Sequence, residues 1–367
     1  MCCHLDKEDA DCEYAFNDNF ANCESMFRNA APRRTIWVVG VLSLLGAGLV
    51  MYWRLKLKEK KEKNIVQNNM LMHLAVSDSL MGVYLMTVGV KDQLWKGVYY
   101  LHDYAWRSSW PCQVTGAISI MSSEVSVMLL ALISADRVKN IVFPYKGRSL
   151  SRNKGHALCL IIWAIGALIA FFPMFGIRYF EDPKSFTHYY GRSVMCLPLH
   201  LSADFPMGWE YSVGVFVVLN LVLFAFIVVA YSLILIKTYS SSLRLARQGT
   251  ARERRARSQT AKFKRETSLA KRVFFIILTD ALCWIPVIVI GLKSILETAF
   301  TTPGDITVWI AVFVLPLNSV INPLLYTFST PQVQFKFFLP FFYCFRDRKS
   351  TRLNSSHIQK SRMPSSA

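Results

Sequence analysis

The chain of 367 residues reads as an all-α membrane protein, a bundle of seven transmembrane helices with a short amphipathic helix after the seventh. Three observations point there. First, 53% of the residues are hydrophobic, and they gather in seven runs, roughly 35–53, 69–90, 112–142, 156–175, 211–236, 270–296 and 306–328. Each is near the ~20 residues that a helix needs to cross a bilayer. Second, the net charge is +18, and the basic residues collect in alternate connections while the opposite connections are sparse in Lys and Arg. Arg54, Lys56, Lys58, Lys60, Lys61 and Lys63 follow run one, and Lys139, Lys146, Arg148, Arg152 and Lys154 follow run three. Arg244, Arg247, Arg252, Arg254, Arg255, Arg257, Lys262, Lys264 and Arg265 separate runs five and six. This alternation is the positive-inside pattern of membrane proteins, and it argues against a nucleic-acid partner. Third, Asp78, Glu124, Asp280, Asn318 and Asn322 interrupt the apolar runs. Polar groups at that depth face a bundle interior and usually serve a function.

The elements follow in order. Residues 1–34 form an acidic outer segment, with Asp6, Glu8, Asp9, Asp11, Glu13, Asp18 and Glu24. No apolar core follows Met1, so they hold no secretory signal. Cys2, Cys3, Cys12 and Cys23 lie where disulfides form, paired among themselves or with partners outside the chain. Cysteines without a signal lead us to expect a truncated N-terminus. Run two carries Asp78, whose carboxylate needs a partner or an ion at mid-membrane. Run three opens at Trp110-Pro111-Cys112 and ends at Asp136-Arg137-Val138. Cys112 and Cys196 are both outer by this topology, where a disulfide is chemically allowed. Arg137 stands at the inner border, where a guanidinium can snorkel to the headgroups or pair with Asp136. Run four has Trp163, and run five has Asn220 and Tyr231 but no proline at its middle.

Run six holds Asp280 and Cys283-Trp284-Ile285-Pro286, where Pro286 supplies a kink. In run seven Pro323 removes a backbone donor beside Asn322, so backbone and amide can pair in more than one way. Past Tyr326, over 329–346, Phe335, Lys336, Phe337 and Phe338 predict an amphipathic helix along the inner leaflet. Cys344 there is a palmitoylation candidate or a free cytosolic thiol. Residues 347–367 read like a sequencing adapter translated in one frame. We expect the natural protein to diverge near Arg346 and leave that tail, expected to be disordered, out of the fold.

Asn322-Pro323-Leu-Leu-Tyr326 matches the NPxxY pattern of rhodopsin-like G-protein-coupled receptors. Asp136-Arg137-Val138 resembles their DRY motif with Val138 for Tyr, and Cys283-Trp-Ile-Pro286 their CWxP hinge. Most such receptors have Phe where Asp280 stands and a proline inside helix five; leucine-rich-repeat receptors have Asp and lack the proline. Asp78-Ser-Leu-Met-Gly82, Ser123-Glu-Val-Ser-Val127, Cys196-Leu-Pro-Leu-His200, Thr279-Asp-Ala-Leu-Cys-Trp-Ile-Pro286 and Leu315-Pro-Leu-Asn-Ser319 resemble relaxin-receptor-like sequences, type C of that class. Phe20-Ala-Asn-Cys23-Glu24 resembles the hinge that joins a leucine-rich ectodomain to the helical domain. Two positions depart. Ala47 stands where most rhodopsin-like receptors carry Asn, which removes a polar contact to run two. Arg137 stands where relaxin receptors tend to carry Lys.

The resemblance implies a receptor domain over 35–328 whose partners are the lipid bilayer, a heterotrimeric G protein and an extracellular peptide or protein hormone of relaxin type. It implies a plasma-membrane protein, N-terminus outside, signalling through cyclic AMP. It implies a Cys112–Cys196 disulfide, with Asp136, Arg137 and Tyr231 for G-protein coupling. We expect an activation switch made of Asp280, Trp284, Pro286, Asn318, Asn322, Pro323 and Tyr326, with Asp280 latched to Asn318 and Asn322. No cofactor is implied beyond an allosteric sodium ion at Asp78, which is otherwise a hydrogen-bonded carboxylate. Ser119 and Pro316 stand where amine receptors place Asp and light receptors place Lys, and Lys293 is too near the outer end to substitute. The rival reading is an ion-coupled transporter or channel using Asp78, Glu124 and Asp280, but no repeat relates the two halves. For an enzyme, His73 and His156 show neither metal spacing nor a nucleophile–base pairing, and read as surface or packing residues.

Overall fold

The computed structural model describes residues 21, 24–56, 62–143, 150–181, 188–198, 207–247, 274–275, 278–279, 281–293, 296 and 309–329. Cys2, Cys3, Cys12, Cys23, Asp280, Cys344, the expected amphipathic helix beyond Ser329 and the tail lie outside the described residues. The long helices are α1 (Ala30–Lys56), α2 (Glu62–Leu94), α4 (Trp110–Ile141), α5 (Arg152–Phe171) and α7 (Asn220–Arg247). A short helix, α3 (Tyr99–Arg107), joins α2 to α4. Another, α6 (Trp209–Val213), leads through a π-turn, Gly214–Leu219, into α7. The last two runs supply α8 (Ala281–Lys293) and α9 (Leu315–Ser329), the latter preceded by a π-turn over Ile310–Val314.

Among the described residues five helices are long and apolar enough to cross a membrane, and two shorter apolar helices mark the sixth and seventh crossings. Local chemistry sets several ends. Ser109 caps α4 by accepting the Cys112 amide at 3.3 Å, and Pro111 sits in the first turn, where its missing N–H costs nothing. Arg54 and Lys56 end α1, where cations complement the helix dipole.

The central helix is α4, with 72% of its apolar window buried against 22% for α5. It packs on α2, α5 and α7, while α1 packs on α2 and α9. Glycines allow the closest approaches. An added Cβ at Gly166 would lie 2.3 Å from Val125, and one at Gly46 would lie 3.0 Å from Pro323.

The outer end is closed by the loop at 188–198, which turns into the bundle. Val194, Met195 and Cys196 are fully buried. Buried loop backbone must be paired, and two of its carbonyls take side-chain donors. The Trp106 indole donates to the Val194 carbonyl at 2.9 Å, and the Tyr84 phenol to the Met195 carbonyl at 3.0 Å. The loop is tied to α4 by a Cys112–Cys196 disulfide with Cα atoms 5.5 Å apart, and Cys196 has φ 54°, a conformation that L-residues rarely adopt. An added Cβ at Gly116 would meet the Cys196 carbonyl oxygen at 2.2 Å, so only glycine lets the loop sit so low.

Beside this loop, the segment before α1 docks onto the outer ends of the helices. Met26 and Phe27 are buried, and the Glu24 carbonyl accepts the Gly97 amide at 2.6 Å. Asp92, at the end of α2 with its side chain fully buried, lies 2.8 Å from the Arg33 guanidinium, and the amides of Met26 and Phe27 face the same carboxylate. Arg33 also donates to the Phe27 carbonyl at 2.9 Å.

Two outcomes follow for thermal unfolding in detergent. Gly116→Ala should lose about 1–3 kcal/mol to overpacking, whereas Gly48→Ala, with nothing within 4 Å, should be neutral or gain. Arg33→Ala, by stranding the Asp92 carboxylate, should cost about 3 kcal/mol, with part of it recovered by adding Asp92→Asn. An unchanged melting temperature in Arg33→Ala would refute the docking pair.

Candidate functional site

Polar groups gather around Asp78, around Asp136 and Arg137, and in the loop at 188–198. Asp78, on α2, is fully buried. The Ser126 hydroxyl of α4 is 3.5 Å from its carboxylate, and the Ser43 hydroxyl of α1 donates to its backbone carbonyl at 2.8 Å. Close by, Ser77 and Ser122 donate to each other's backbone carbonyls, both at 2.7 Å. Small hydroxyl residues let membrane helices approach and bond at once. Ala47, where a polar contact was expected to be missing, is fully buried. Ser43, one turn earlier, makes a polar contact from α1 to α2 instead.

On α9, Asn318, Ser319, Asn322 and Pro323 are all buried, and Pro323 lies inside the helix. Among the described residues neither end of the Asn322 amide has a hydrogen-bond partner. A buried amide with that much unused capacity favours any rearrangement that pairs it. Tyr326 lies on the same helix, its side chain outside the description. Trp284 of α8 is buried in an apolar cluster with Ile120, Phe216 and Ile288, while Pro286 is half-buried on the same helix.

The inner layer holds Asp136 and Arg137, 3.6 Å apart and 8% and 4% exposed. A guanidinium so buried is not snorkelling; it is held inside the bundle. The buried Tyr231 phenol of α7 faces Ser134 and Arg137, and its ring lies 6.4 Å from Phe274 on the sixth crossing.

The outer layer is the loop. The Tyr190 phenol bonds the Ala170 carbonyl, and the Tyr189 phenol pairs with Ser212 at 2.9 Å. Burial pushes both phenols well above their ordinary range, so they remain protonated at every physiological pH. Both rings belong to the cluster that holds Trp284, so apolar packing runs unbroken from the outer loop to the middle of α8.

Two pairings escaped sequence reasoning. Glu124, fully buried, accepts from Asn220 at 3.1 Å, and the same amide donates to the Val215 and Phe216 carbonyls. Asn220 thus ties the π-turn of the fifth crossing to α4, in the run that lacks a mid-helix proline. His73 and His156 also meet, their ring nitrogens 3.2 Å apart across α2 and α5. Each residue was conspicuous alone; the partners are too distant in sequence for a local pattern to join them. Among the described residues no three or more His, Cys, Asp or Glu gather to hold a metal ion. The arrangement is suited to movement between packed helices, with breakable polar contacts at several depths.

Comparison with known proteins agrees. The chain is 38% identical over 313 residues to G-protein coupled receptor GRL101 of Lymnaea stagnalis, covering 85% of this chain and 26% of that protein. It is 33% identical over 349 residues to relaxin receptor 1 of Homo sapiens, covering 95% and 43%. It is 25% identical over 323 residues to the lutropin-choriogonadotropic hormone receptor of Gallus gallus, covering 88% and 40%. The chain therefore spans less than half the length of each of these relatives. A family profile described as 7 transmembrane receptor (rhodopsin family) matches residues 46–326, and the chain belongs to that family of seven-helix membrane receptors.

Proposed function

We propose that this chain is the transducing domain of a plasma-membrane receptor, N-terminus outside, that relays an extracellular peptide or protein hormone signal to a heterotrimeric G protein. A relaxin-like ligand and cyclic AMP as output follow from similarity to the relaxin receptors. The observation that carries the reading is the buried Asp136–Arg137 pair beside Tyr231. An arginine held in by its neighbour describes a receptor at rest, with a cation available to a partner once the inner face opens.

A ligand moves such an equilibrium only through differential affinity for its two states. The docked segment at 24–29 and the buried outer loop are the surfaces through which outer binding would be felt. From there the Tyr190-to-Trp284 packing leads to the sixth crossing. Asp280 is the proposed latch: a buried carboxylate must be hydrogen-bonded or neutralised, and Asn318 and Asn322 have amide donors. Its release would let the sixth helix swing outward about Pro286. The Asp78 layer offers a carboxylate and a hydroxyl, hard oxygen donors that suit a sodium ion. Cys344 would anchor an inner-leaflet helix over 329–346 through palmitate. An ion-flux assay beside a cyclic AMP assay separates this reading from that of an ion-coupled transporter.

Asp280→Asn should raise basal cyclic AMP about tenfold at matched surface expression, the effect of weakening a latch by about 1.4 kcal/mol. Adding Arg137→Ala should return the signal to background, and ion flux should not change. Basal activity at or below that of the unaltered chain would count against the latch.

A further inference from the structure

We propose that a groove on the lipid-facing side of α4 and α7 is a binding site for one acyl chain of an anionic glycerophospholipid, with the lipid phosphate on Lys139. The groove encloses about 320 Å³. One wall is Ala135, Val138 and Lys139 of α4, spaced so that they share a helix face; the other is Phe226, Val229, Ala230 and Leu233 of α7, also one face. The walls meet at small side chains, Ala135 and Ala230, which is what leaves the space. Phe143, just past the end of α4, completes the lining.

The lining is apolar except for Lys139. Phe143, Phe226, Val229 and Leu233 are between 42% and 58% exposed, so the groove opens sideways rather than into the bundle. Seven crossings place that face in hydrocarbon, so its occupant comes from the bilayer. Lys139 selects which lipid. It lies within the last turn of α4 and is half-buried, and among the described residues no carboxylate pairs with it. Asp136, one turn away, is engaged by Arg137. A long basic side chain at the end of a membrane helix lays its stem along apolar surface and carries its ammonium to the headgroups. The basic connections that follow runs one, three and five assign this end to the cytosol, whose leaflet carries the anionic lipids. A slot for a chain beside an uncompensated cation fits phosphatidylserine or phosphatidylglycerol better than a zwitterionic lipid.

The site has a bearing on signalling. Ala135 and Val138 flank the Asp136–Arg137 pair, and Ala230 precedes Tyr231. A chain seated there lies directly behind the inner layer and braces α7 against α4.

The test uses the full chain in nanodiscs of equal phosphatidylserine and phosphatidylcholine, released gently and weighed by native mass spectrometry. The unaltered protein should retain phosphatidylserine at least about fivefold over phosphatidylcholine. Lys139→Gln should reduce that preference to below about twofold, and Lys139→Arg should keep it. Ala135→Leu, which fills the groove from a partly exposed position, should lower the number of retained lipids of both kinds. Equal retention of the two lipids by the unaltered chain, or a preference that survives Lys139→Gln, would overturn the proposal. If Lys139→Gln cannot be recovered folded, the Ala135→Leu count decides: no loss of retained lipid rejects the groove.

Discussion

Hydrocarbon supplies no hydrogen bonds, so each polar group this chain carries into the membrane has to be answered by another part of the protein. That constraint explains more of the structure than any single contact. Ser77 and Ser122 answer each other across α2 and α4. Glu124 is answered by Asn220, which also takes up carbonyls left by the π-turn. Arg137 is answered by Asp136. The first two pairs join α2 to α4 and α4 to α7 and so help to fix the relative register of these helices, while the Asp136–Arg137 pair lies within α4.

The same rule governs the outer end, where the demand comes from backbone. A loop buried as deeply as 194–196 would be intolerable with unpaired carbonyls. Tyr84 and Trp106 supply the donors, Gly116 supplies the room, and Cys112 supplies the tether. The neighbouring 24–29 segment is held by a charge that has no water to turn to, Asp92. Loop and segment pack in one apolar cluster, where Met26, Phe27, Val194 and Met195 share neighbours in Tyr84, Leu85 and Val88. A displacement of either is therefore felt by the helices beneath.

Much of this was legible in the amino-acid order. Apolar runs and the alternation of basic loops announce the crossings because both are local properties of a chain in a bilayer. The Asp136-Arg137 step and the Asn-Pro step in run seven stand out because such residues are costly where they lie, and the outer cysteines because they lie where disulfides form. What escaped was pairing. Asn220 and Glu124 lie 96 residues apart, and His73 and His156 lie 83 apart, so no window contains both members. The π-turns escaped because the segments Gly214–Leu219 and Ile310–Val314 are apolar stretches no different in composition from α-helix. Helix α3 escaped because nine residues with Asp103 and Arg107 among them are too short and polar to register as a crossing. Ser43 escaped because a single serine in an apolar run carries no local signal of its partner, the Asp78 carbonyl 35 residues away.

We propose that polar contacts between the last two crossings hold the inner face shut and that their release moves the sixth helix. A distance measurement tests it most directly. Spin labels at Asn140, near the end of α4, and at Phe275, exposed on the sixth crossing, would be compared in the unaltered chain and in Asp280→Asn. Phe275 precedes Pro286 by eleven residues in sequence, so a swing of the sixth crossing about that proline would displace the label. A second, longer distance that gains population in the variant is the expected result. Identical distance distributions in the two proteins would contradict the claim.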